Sequence, residues 1–471
     1  MTKILKPQDW GLGTDPQGKL VVGEIPAVAL AREFGTPLHV IHEPRLEDTA
    51  RNFRRSMETV YPGRTSVHYA FKCNSVPAVV ATVRRGGLRA EVMSEFELEL
   101  ALRLGYQGED IVVNGPGKTP ELLRTCLEVG VRFIVVDSLG ELALLGHIAA
   151  ELRTSAPILL RINPDYVPRG MNQGTATGSR RGCAFGLDLK GKEPYEALAL
   201  LRNIPSLRFQ GYHVHIGTGV RNPREYGRAL ERLARLIRDS RASGFPVKTM
   251  DVGGGFASMT TRELTTREFL LYQGLGTLPS GVSAAAASFE DFGREISAAL
   301  GKIFGPSEIP ELLLEPGRCV ASPNQFLLLT VRQVKTRPNV GTWIITDGGL
   351  GTVSLPTFYE YHEVFLADDL ARPRTAKATI IGSVCFASDI VYRNKPMPAV
   401  RPGETLAVMD SGAYFTAQES QFGFPRPAIV SVDASSYRLV RRRETFADMT
   451  GRDVFQPIKS KKEDAHEIRA N

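Results

Sequence analysis

Cysteine and tryptophan are scarce in this chain, whose 471 residues include five cysteines and two tryptophans. The cysteines are odd in number and form no Cys-x-x-Cys pair, which disfavours a disulfide framework and a zinc site. No apolar run approaches the roughly 20 residues of a membrane span. Residues 1–10 also lack the apolar core of a signal peptide. We therefore expect a cytoplasmic protein with no bound metal and no membrane partner.

An excess of one charge sign is also missing. Lysine and arginine total 58 and aspartate and glutamate total 51, which leaves a net charge of +7 spread along the chain. A nucleic-acid-binding protein more usually concentrates its basic residues on one face, so nucleic acid is not an expected partner. Hydrophobic residues make up 42% and charged residues 23%, which is typical of a globular protein with two or three domains.

Short β-rich runs alternate with amphipathic helical stretches in the first two thirds of the chain. Eight runs have the length and composition of strands: 66–72, 88–94, 111–114, 133–138, 158–164, 209–217, 249–256 and 312–318. Ser94 and Ser138 are each followed three residues later by glutamate, which predicts two helix-capping boxes. Asn222-Pro223 predicts the start of a helix over 223–241. Eight β/α units in this span predict a TIM barrel.

The pattern changes after Arg318, where long helical periods end. Five β-like segments predict a second, antiparallel β domain: 325–335, 342–347, 376–381, 405–411 and 428–433. We predict four regions along the chain: an N-terminal segment over 1–40 that adds to the β domain, the barrel over 41–320, the β domain over 321–455, and a polar tail over 456–471.

An insertion at 257–290 separates the seventh predicted strand from its helix. It is rich in threonine at first and then contains the low-complexity run 283–288. Long segments of such composition usually lie outside the core, so we predict a mobile surface loop.

Polar residues follow several predicted strands, at the face where barrel enzymes build their sites. Lys72 ends the first predicted strand, although a lysine there is more often a solvated strand end. His213 and His215 alternate in the sixth strand, so a period of two places both on one face. A single histidine there is usually a hydrogen-bonded core residue, but two beside a Gly-Thr-Gly turn favour a site.

Two further clusters follow the seventh and eighth predicted strands, where many barrels bind phosphate. The glycines at 253–255 offer backbone amides that can form an anion-binding nest, although a tight turn explains one glycine run equally well. Glu315-Pro-Gly-Arg318 adds a carboxylate and an anion-binding side chain. This set of groups is the one that pyridoxal phosphate needs. A lysine binds its aldehyde, a histidine stacks on its ring, an anion-binding nest holds its phosphate, and a carboxylate pairs with its ring nitrogen.

The chain resembles the diaminopimelate/ornithine decarboxylases, pyridoxal-phosphate enzymes of the alanine racemase fold. Nine ordered motifs carry the resemblance: YAFKCN at 69–74, EVMSEFE at 91–97, HIGTG at 215–219, DVGGGF at 251–256, EPGR at 315–318, DGG at 347–349, FYEYHE at 358–363, CFASD at 385–389 and GAY at 412–414. The resemblance implies a barrel with a β-sandwich-like second domain and an amino-acid decarboxylase. It also implies a homodimer with active sites shared across the interface.

The resemblance implies three catalytic residues: Lys72 as the Schiff-base lysine, His215 stacked on the cofactor ring, and Cys385 as a proton donor reaching the partner subunit's site. From its residue type alone, Cys385 would be a buried small hydrophobe. The implied cofactor-binding residues are Lys72, Glu91, His215, Thr218, Gly254, Gly255, Glu315, Gly317, Arg318 and Tyr414. Among these, Glu315 is implied at the ring nitrogen, and the glycines and Arg318 around the phosphate.

The implied substrate-binding residues are Arg318, Tyr359, Glu360, Phe386, Asp389 and Tyr414. Here the sequence departs from the family, because diaminopimelate decarboxylases have arginine where this chain has Leu355 and glutamate where it has Phe386. Ornithine decarboxylases have aspartate at the latter position. Each lost charged hydrogen bond is worth ~1.5–3 kcal/mol.

The resemblance implies decarboxylation through an external aldimine and a ring-stabilised carbanion, and these departures predict a substrate other than meso-diaminopimelate. A basic amino acid of either hand, or a specialised biosynthetic intermediate, is the expected substrate. The alternatives are a true meso-diaminopimelate decarboxylase that makes L-lysine, a racemase of the same fold, and a non-catalytic regulatory homologue.

Overall fold

The computed structural model describes residues 4–454, except 172–174, 280, 283–286, 306 and 355. The predicted polar tail, Leu355 and most of the run 283–288 lie outside the described residues. Within the described part of the chain, no helix is long and apolar enough to span a bilayer.

Among the described residues, eight parallel strands form a closed barrel: Thr65–Ala70, Arg89–Val92, Ile111–Val113, Phe133–Val136, Ala156–Asn163, Leu207–His213, Thr249–Asp251 and Glu311–Leu314. Each strand pairs with its neighbour in chain order, and the ring closes where the last strand pairs with the first. The strands are rich in Val, Ile and Leu and are largely buried, as expected for a parallel sheet covered by helices. The predicted TIM barrel is confirmed.

Helices cover the outside of the barrel: Glu43–Val60, Pro77–Arg85, Glu95–Arg103, Pro120–Val129, Leu139–Glu151, Glu193–Leu201, Arg224–Ala242 and Phe289–Phe304. Their apolar faces and the strands share one continuous core. At Ser94, the side chain accepts the amide of Glu97 at 3.2 Å, as predicted. The capping box also predicts that the Glu97 side chain accepts the backbone amide of Ser94. That part of the prediction is wrong, because Glu97 accepts the amide of Met93 at 2.9 Å instead.

The second domain is built on one large sheet. Its strands are Leu38–His42, Gln325–Arg337, Gly341–Thr346, Val364–Leu366, Ala376–Ile381, Ile390–Met397, Thr405–Val408, Ala428–Asp433 and Ser436–Arg441. All five predicted segments form strands here. The sheet is mostly antiparallel, with two parallel pairs that the sequence did not predict.

The start of the chain is part of this second domain. Leu38–His42 lies between Gln325–Arg337 and Ala428–Asp433 in the sheet and spans the predicted boundary at residue 40. Helix Ala27–Phe34 and a small sheet formed by Gly13–Thr14, Leu20–Val22 and Ile25–Pro26 precede it. Their apolar residues pack into the core of the β domain.

The insertion at 257–290 is not the surface loop that its composition predicts. Arg262–Glu263 forms a short strand that pairs with Glu360–Tyr361, and Thr266–Leu275 forms a helix. Tyr272 on this helix is 2% exposed, and its hydroxyl accepts the backbone amide of Arg393 at 3.0 Å. The prediction was wrong because the apolar residues of the insertion pack against a domain that comes later in the chain.

The predicted barrel strands extend too far at their carboxyl ends. The first strand ends at Ala70 and the sixth at His213. Lys72 and His215 therefore stand on the following loops, and His213 and His215 do not share one strand. The polar motifs at the ends of the predicted strands therefore lie on loops at the carboxyl-terminal face of the barrel.

Candidate active site

A cavity of about 250 Å³ lies at the carboxyl-terminal face of the barrel. The structure brings together in its wall every cofactor-binding residue that the sequence predicts: Lys72, Glu91, His215, Thr218, Gly254, Gly255, Glu315, Gly317, Arg318 and Tyr414. Tyr414 comes from the second domain and the others come from loops and strand ends of the barrel. One cavity thus gathers residues separated by more than 300 positions in the chain.

Lys72 stands on the turn Phe71–Cys73, directly after the first barrel strand. Its Nζ donates to Oε2 of Glu91 at 2.6 Å, and Glu91 is buried near the end of the second strand. Burial disfavours the ammonium, but the carboxylates of Glu91 and Glu315 outweigh burial and raise the pKa of Lys72. Burial also raises the pKa of Glu91. Lys72 is therefore favoured as the ammonium, which donates to a carboxyl group that also lies in the cavity wall.

Glu315 is a buried carboxylate that is fixed on two sides. Asn114 Nδ2 donates to Oε1 at 2.5 Å, and His213 Nε2 lies 3.5 Å from Oε2. Burial opposes ionisation, yet His213 and Lys72 hold the pKa of Glu315 well below its usual range. Glu315 is therefore an anion at neutral pH.

Asp251 stands beside this anion at the end of the seventh strand. Its carboxyl oxygen lies within 4.8 Å of the nearest ionisable atoms of His213 and Glu315. Burial and the Glu315 charge raise the pKa of Asp251 well above its usual range. Of these two adjacent carboxyl groups, Asp251 is the one whose protonated form is favoured, because two anions this close repel each other.

His215 presents a neutral ring to the cavity. Its Nδ1 accepts the amide of Gly254 at 3.1 Å, which fixes the plane of the imidazole. Burial, with Arg161 and Lys72 nearby, lowers the pKa of His215 to about 3. A fixed, uncharged aromatic surface suits stacking on a planar ligand.

Glycines form a tight cradle on the other side of the cavity. A Cβ on Gly254 would lie 2.2 Å from the Glu315 carbonyl oxygen, and one on Gly255 would lie 2.0 Å from the Gly217 carbonyl oxygen. Gly255 also has φ +91°. Only glycine permits this close approach of two backbones.

Gly255→Ala is expected to lower the free energy of unfolding by about 1–3 kcal/mol, because it combines a steric clash with a strained φ. Chemical denaturation of the apo protein measures this. Gly274→Ala is the matched control, since a Cβ there meets nothing within 4 Å. Equal stability of the two variants would show that the cradle tolerates a side chain.

Arg318 closes one end of the cavity together with residues from three other segments. Its Nε donates to Thr218 Oγ1 at 3.3 Å, and its guanidinium carbon lies 4.9 Å from the centre of the Tyr414 ring. Its Nη1 lies 2.6 Å from Glu360 Oε1. Burial and Glu360 raise the pKa of Tyr359, which lies next to this pair. Four of the predicted substrate-binding residues therefore meet around one guanidinium.

Five predicted site residues are not in the described wall of this cavity: Tyr359, Glu360, Cys385, Phe386 and Asp389. Glu360 contacts Arg318, as described above. Cys385 and Phe386 are exposed on the second domain. Asp389 is buried, and its two carboxylate oxygens accept the backbone amides of Leu350 at 2.6 Å and Val384 at 2.8 Å. Both oxygens of Asp389 thus hold a turn, and neither faces the cavity.

Sequence reasoning left out Asn114 and Asp251, which both act on Glu315. Asn114 directly follows the third barrel strand, just as Lys72 follows the first, so its strand-end position was an available signal. Asp251 belongs to a motif that was read only for its glycines. Arg161 and Phe185 also line the cavity, and no motif marks them.

The residues present fit pyridoxal phosphate. The cavity offers a primary amine, a fixed neutral ring, a glycine cradle and a buried anion, which match the aldehyde, ring, phosphate and ring nitrogen of that cofactor. Several buried polar atoms in or beside the wall have no hydrogen-bond partner among the described residues: Glu91 Oε1 and His213 Nδ1 in the wall, and Asp251 Oδ2 beside it. Unpartnered buried polar atoms are costly and are typical of a site built around a ligand.

Comparisons with known proteins agree with this geometry. The family model "Pyridoxal-dependent decarboxylase, pyridoxal binding domain" matches residues 46–322. Diaminopimelate decarboxylase of Actinosynnema pretiosum is 33% identical over 456 residues, which cover 94% of this chain and 95% of that protein. The enzyme of the same name from Zymomonas mobilis is 30% identical over 434 residues, which cover 92% and 96%.

A solved structure shows the same similarity in three dimensions. The crystal structure of diaminopimelate decarboxylase from M. jannaschii, in complex with L-lysine, has a TM-score of 0.84 at 26% identity. The match covers 95% of this chain and 98% of that one. Fold, cavity and sequence thus agree: the chain belongs to the pyridoxal-phosphate-dependent amino-acid decarboxylases.

Proposed function

We propose that this chain removes the α-carboxylate of an amino acid with a basic distal group and releases CO2. The observation that carries the proposal is the cavity itself, in which the Lys72–Glu91 pair and the Glu315 anion line the same space as a glycine cradle. Release of CO2 and of the amine product, measured together with bound cofactor, tests it. A racemase would invert the substrate without CO2, and a regulatory homologue would bind without turnover.

Lys72 and Glu91 would manage the first proton transfer. When bound, pyridoxal phosphate supplies an electron sink for the pair that departing CO2 leaves on Cα. Lys72 must lose a proton before its Nζ can act as a nucleophile. Glu91 is positioned to accept that proton, because its Oε2 lies 2.6 Å from Nζ and burial strengthens it as a base.

Glu315 and His215 would hold and orient the cofactor ring. The Glu315 anion, which Asn114 fixes, favours a proton on a ring nitrogen placed against it. Asp251 lies beside it, and its raised pKa favours the protonated form there. The neutral His215 ring adds a flat surface without adding a positive charge that would oppose that proton. Each residue thus acts on a different part of the same planar ligand.

Cys385 is proposed as the proton donor to Cα, acting in the partner subunit's site. Its exposure supports this, as does the aromatic patch formed by Phe386, Phe422 and Phe424, which are 47%, 46% and 45% exposed. The rings of Phe386 and Phe422 lie 5.8 Å apart, and an exposed apolar patch of this kind favours an interface, here with a second copy of the chain. All five cysteines are unpaired, which suits the cytoplasmic location that we also propose.

Lysine and ornithine are expected to be better substrates than meso-diaminopimelate, by about tenfold or more in kcat/KM. The reason is that Phe386 offers no charge where the diaminopimelate enzymes have glutamate, and Leu355 offers none where they have arginine. A panel containing meso-diaminopimelate, both enantiomers of lysine and ornithine, and arginine measures this by CO2 release. A clear preference for meso-diaminopimelate would establish the alternative, a lysine-producing enzyme.

A further inference from the structure

The insertion at 257–290 delivers a carboxylate to the edge of the active site. The short strand Arg262–Glu263 pairs with Glu360–Tyr361 in an antiparallel register that sets Glu263 directly opposite Glu360. Cross-strand partners of this kind project to the same face. Glu263 reaches Gly219, where an added Cβ would contact its carboxylate carbon at 3.3 Å. The insertion therefore brings Glu263 to the loop that follows the sixth barrel strand.

Two carboxylates share one guanidinium at this point. Glu360 Oε1 lies 2.6 Å and Glu263 Oε1 lies 3.9 Å from nitrogens of Arg318. The side chains of Glu360 and Glu263 are only 1% and 12% exposed. When both are ionised, Arg318 offers one positive charge to two negative ones, and His362 Nε2 lies 3.2 Å from Glu360 Oε2. These groups are largely buried, where the field of a charge is strong.

The two carboxylates of this cluster differ in how far their neighbours satisfy them. Glu360 pairs with Arg318 Nη1 at 2.6 Å through Oε1, and its Oε2 lies 3.2 Å from His362 Nε2. Glu263 has a side-chain hydrogen bond with Thr175, but its Oε1 is buried and has no hydrogen-bond partner among the described residues. A buried carboxylate oxygen that is left without a donor is the arrangement expected where a ligand supplies the missing N–H group.

A second cavity lies beside the active site and includes Glu263 in its wall. It measures about 190 Å³, its wall also includes Gly219, and Thr218 lines both cavities. Arg318 lines the first cavity and also donates to Thr218. The distal end of a substrate that passes Thr218 and Arg318 thus approaches Glu263.

We propose that Glu263 is a specificity-determining residue that binds an ammonium group at the distal end of the substrate. This inference rests on the proposed function and deepens it, since it names the group that the distal end must carry. Glu263 and Glu360 together attract a cation, while Arg318 keeps the two carboxylates from repelling each other. A methyl group in place of the ammonium would leave Glu263 Oε1 buried without a donor.

The preference for a cation depends on pH through Glu263. Burial raises the pKa of Glu263 to about 7 with help from Glu360, although Arg318 opposes both. Below this pH the carboxyl group is mostly neutral and attracts the ammonium weakly, and above it the carboxylate is ionised and attracts it strongly. The other charged or titratable groups described around Glu263 are Arg318, Glu360, Tyr359, Arg262, Arg221 and Glu225.

Glu263→Gln in the full-length, cofactor-loaded protein tests the proposal. The measurement is the ratio of kcat/KM for lysine to that for 2-aminoheptanoate, in which a methyl group replaces the ammonium. We expect the ratio to fall about tenfold or more, mainly through KM for lysine, as for loss of a charged hydrogen bond. In the wild-type protein the ratio should rise between pH 6 and pH 8 and in the variant it should stay flat. Titrations at the reacting end affect both substrates and cancel in the ratio.

Glu268→Gln is the matched control, because it removes a carboxylate from the same insertion that pairs with Arg262 instead of Arg318. It should leave the ratio unchanged. The inference would be overturned if Glu263→Gln lowered kcat/KM equally for both substrates. It would also be overturned if Glu268→Gln lowered the ratio as much as Glu263→Gln does. Either result indicates a merely structural role.

Binding of 1,5-diaminopentane against 1-aminohexane, measured by calorimetry, needs no turnover and separates the two proposals. If the protein releases no CO2 but prefers the diamine, and Glu263→Gln removes that preference, the proposed function is wrong and this inference stands. If the protein releases CO2 and prefers a cationic substrate, but Glu263→Gln does not alter that preference, the proposed function stands and this inference is wrong.

Discussion

Lys72→Ala protein is expected to lose both the visible absorbance of lysine-bound pyridoxal phosphate and CO2 release, the latter by on the order of a thousandfold or more. Lys72 supplies the primary amine among the described residues of the cavity wall, and its Nζ is held 2.6 Å from Glu91. Without that amine, the cofactor has no covalent anchor in the wall and Glu91 loses its cation. Absorbance spectra and single-turnover CO2 assays measure the two losses.

The Lys72→Ala experiment needs a control for folding and for general loss of positive charge. Lys302→Ala serves for both, because Lys302 is exposed on the helix Phe289–Phe304, away from the cavity. That variant should keep the absorbance and the activity. Lys72→Ala protein that turns yellow with pyridoxal phosphate and releases CO2 at the normal rate would remove Lys72 from the mechanism.

The barrel and most of the cofactor site were predictable because both depend on local signals. Buried strands give short apolar runs, and the loops at their carboxyl ends converge wherever eight such units close into a barrel. Lys72 and Glu315 could therefore be assigned to one site although 243 positions separate them. The motifs that the resemblance supplied gave each residue its role, which strand patterns alone do not.

What could not be predicted depends on contacts between distant segments. Glu263 looks like one charge in a threonine-rich insertion, and only pairing with Glu360–Tyr361 carries it to Arg318. Asp389 differs, because its motif pointed to the substrate while the backbone amides of Leu350 and Val384 occupy its two oxygens. A long-range strand pairing decides the position of Glu263 and a mostly local turn decides that of Asp389, and no periodicity in the sequence encodes either.

Mixing inactive Lys72→Ala protein with weakly active Cys385→Ala protein is expected to restore about a quarter of wild-type activity. The reason is that the two residues belong to different faces of the fold. Lys72 lines the barrel cavity, whereas Cys385 is exposed on the second domain beside the Phe386–Phe422 pair and is not in the described cavity wall. If the partner subunit's Cys385 completes each site, half of randomly mixed dimers are hybrids, and one site in each hybrid has both native residues.

The control pairs Lys72→Ala with Glu315→Gln, two changes in the wall of the same barrel cavity. A hybrid of these two chains contains one change in each of its sites, so mixing should restore nothing. Differently tagged copies, isolated through both tags, establish that subunits have exchanged and yield the hybrid for assay of CO2 release. A purified Lys72→Ala/Cys385→Ala hybrid that is no more active than the Cys385→Ala homodimer would show that each site is complete within one chain. Cys385 would then be a surface thiol, and the proton would have to return to Cα from the Lys72 side of the cavity.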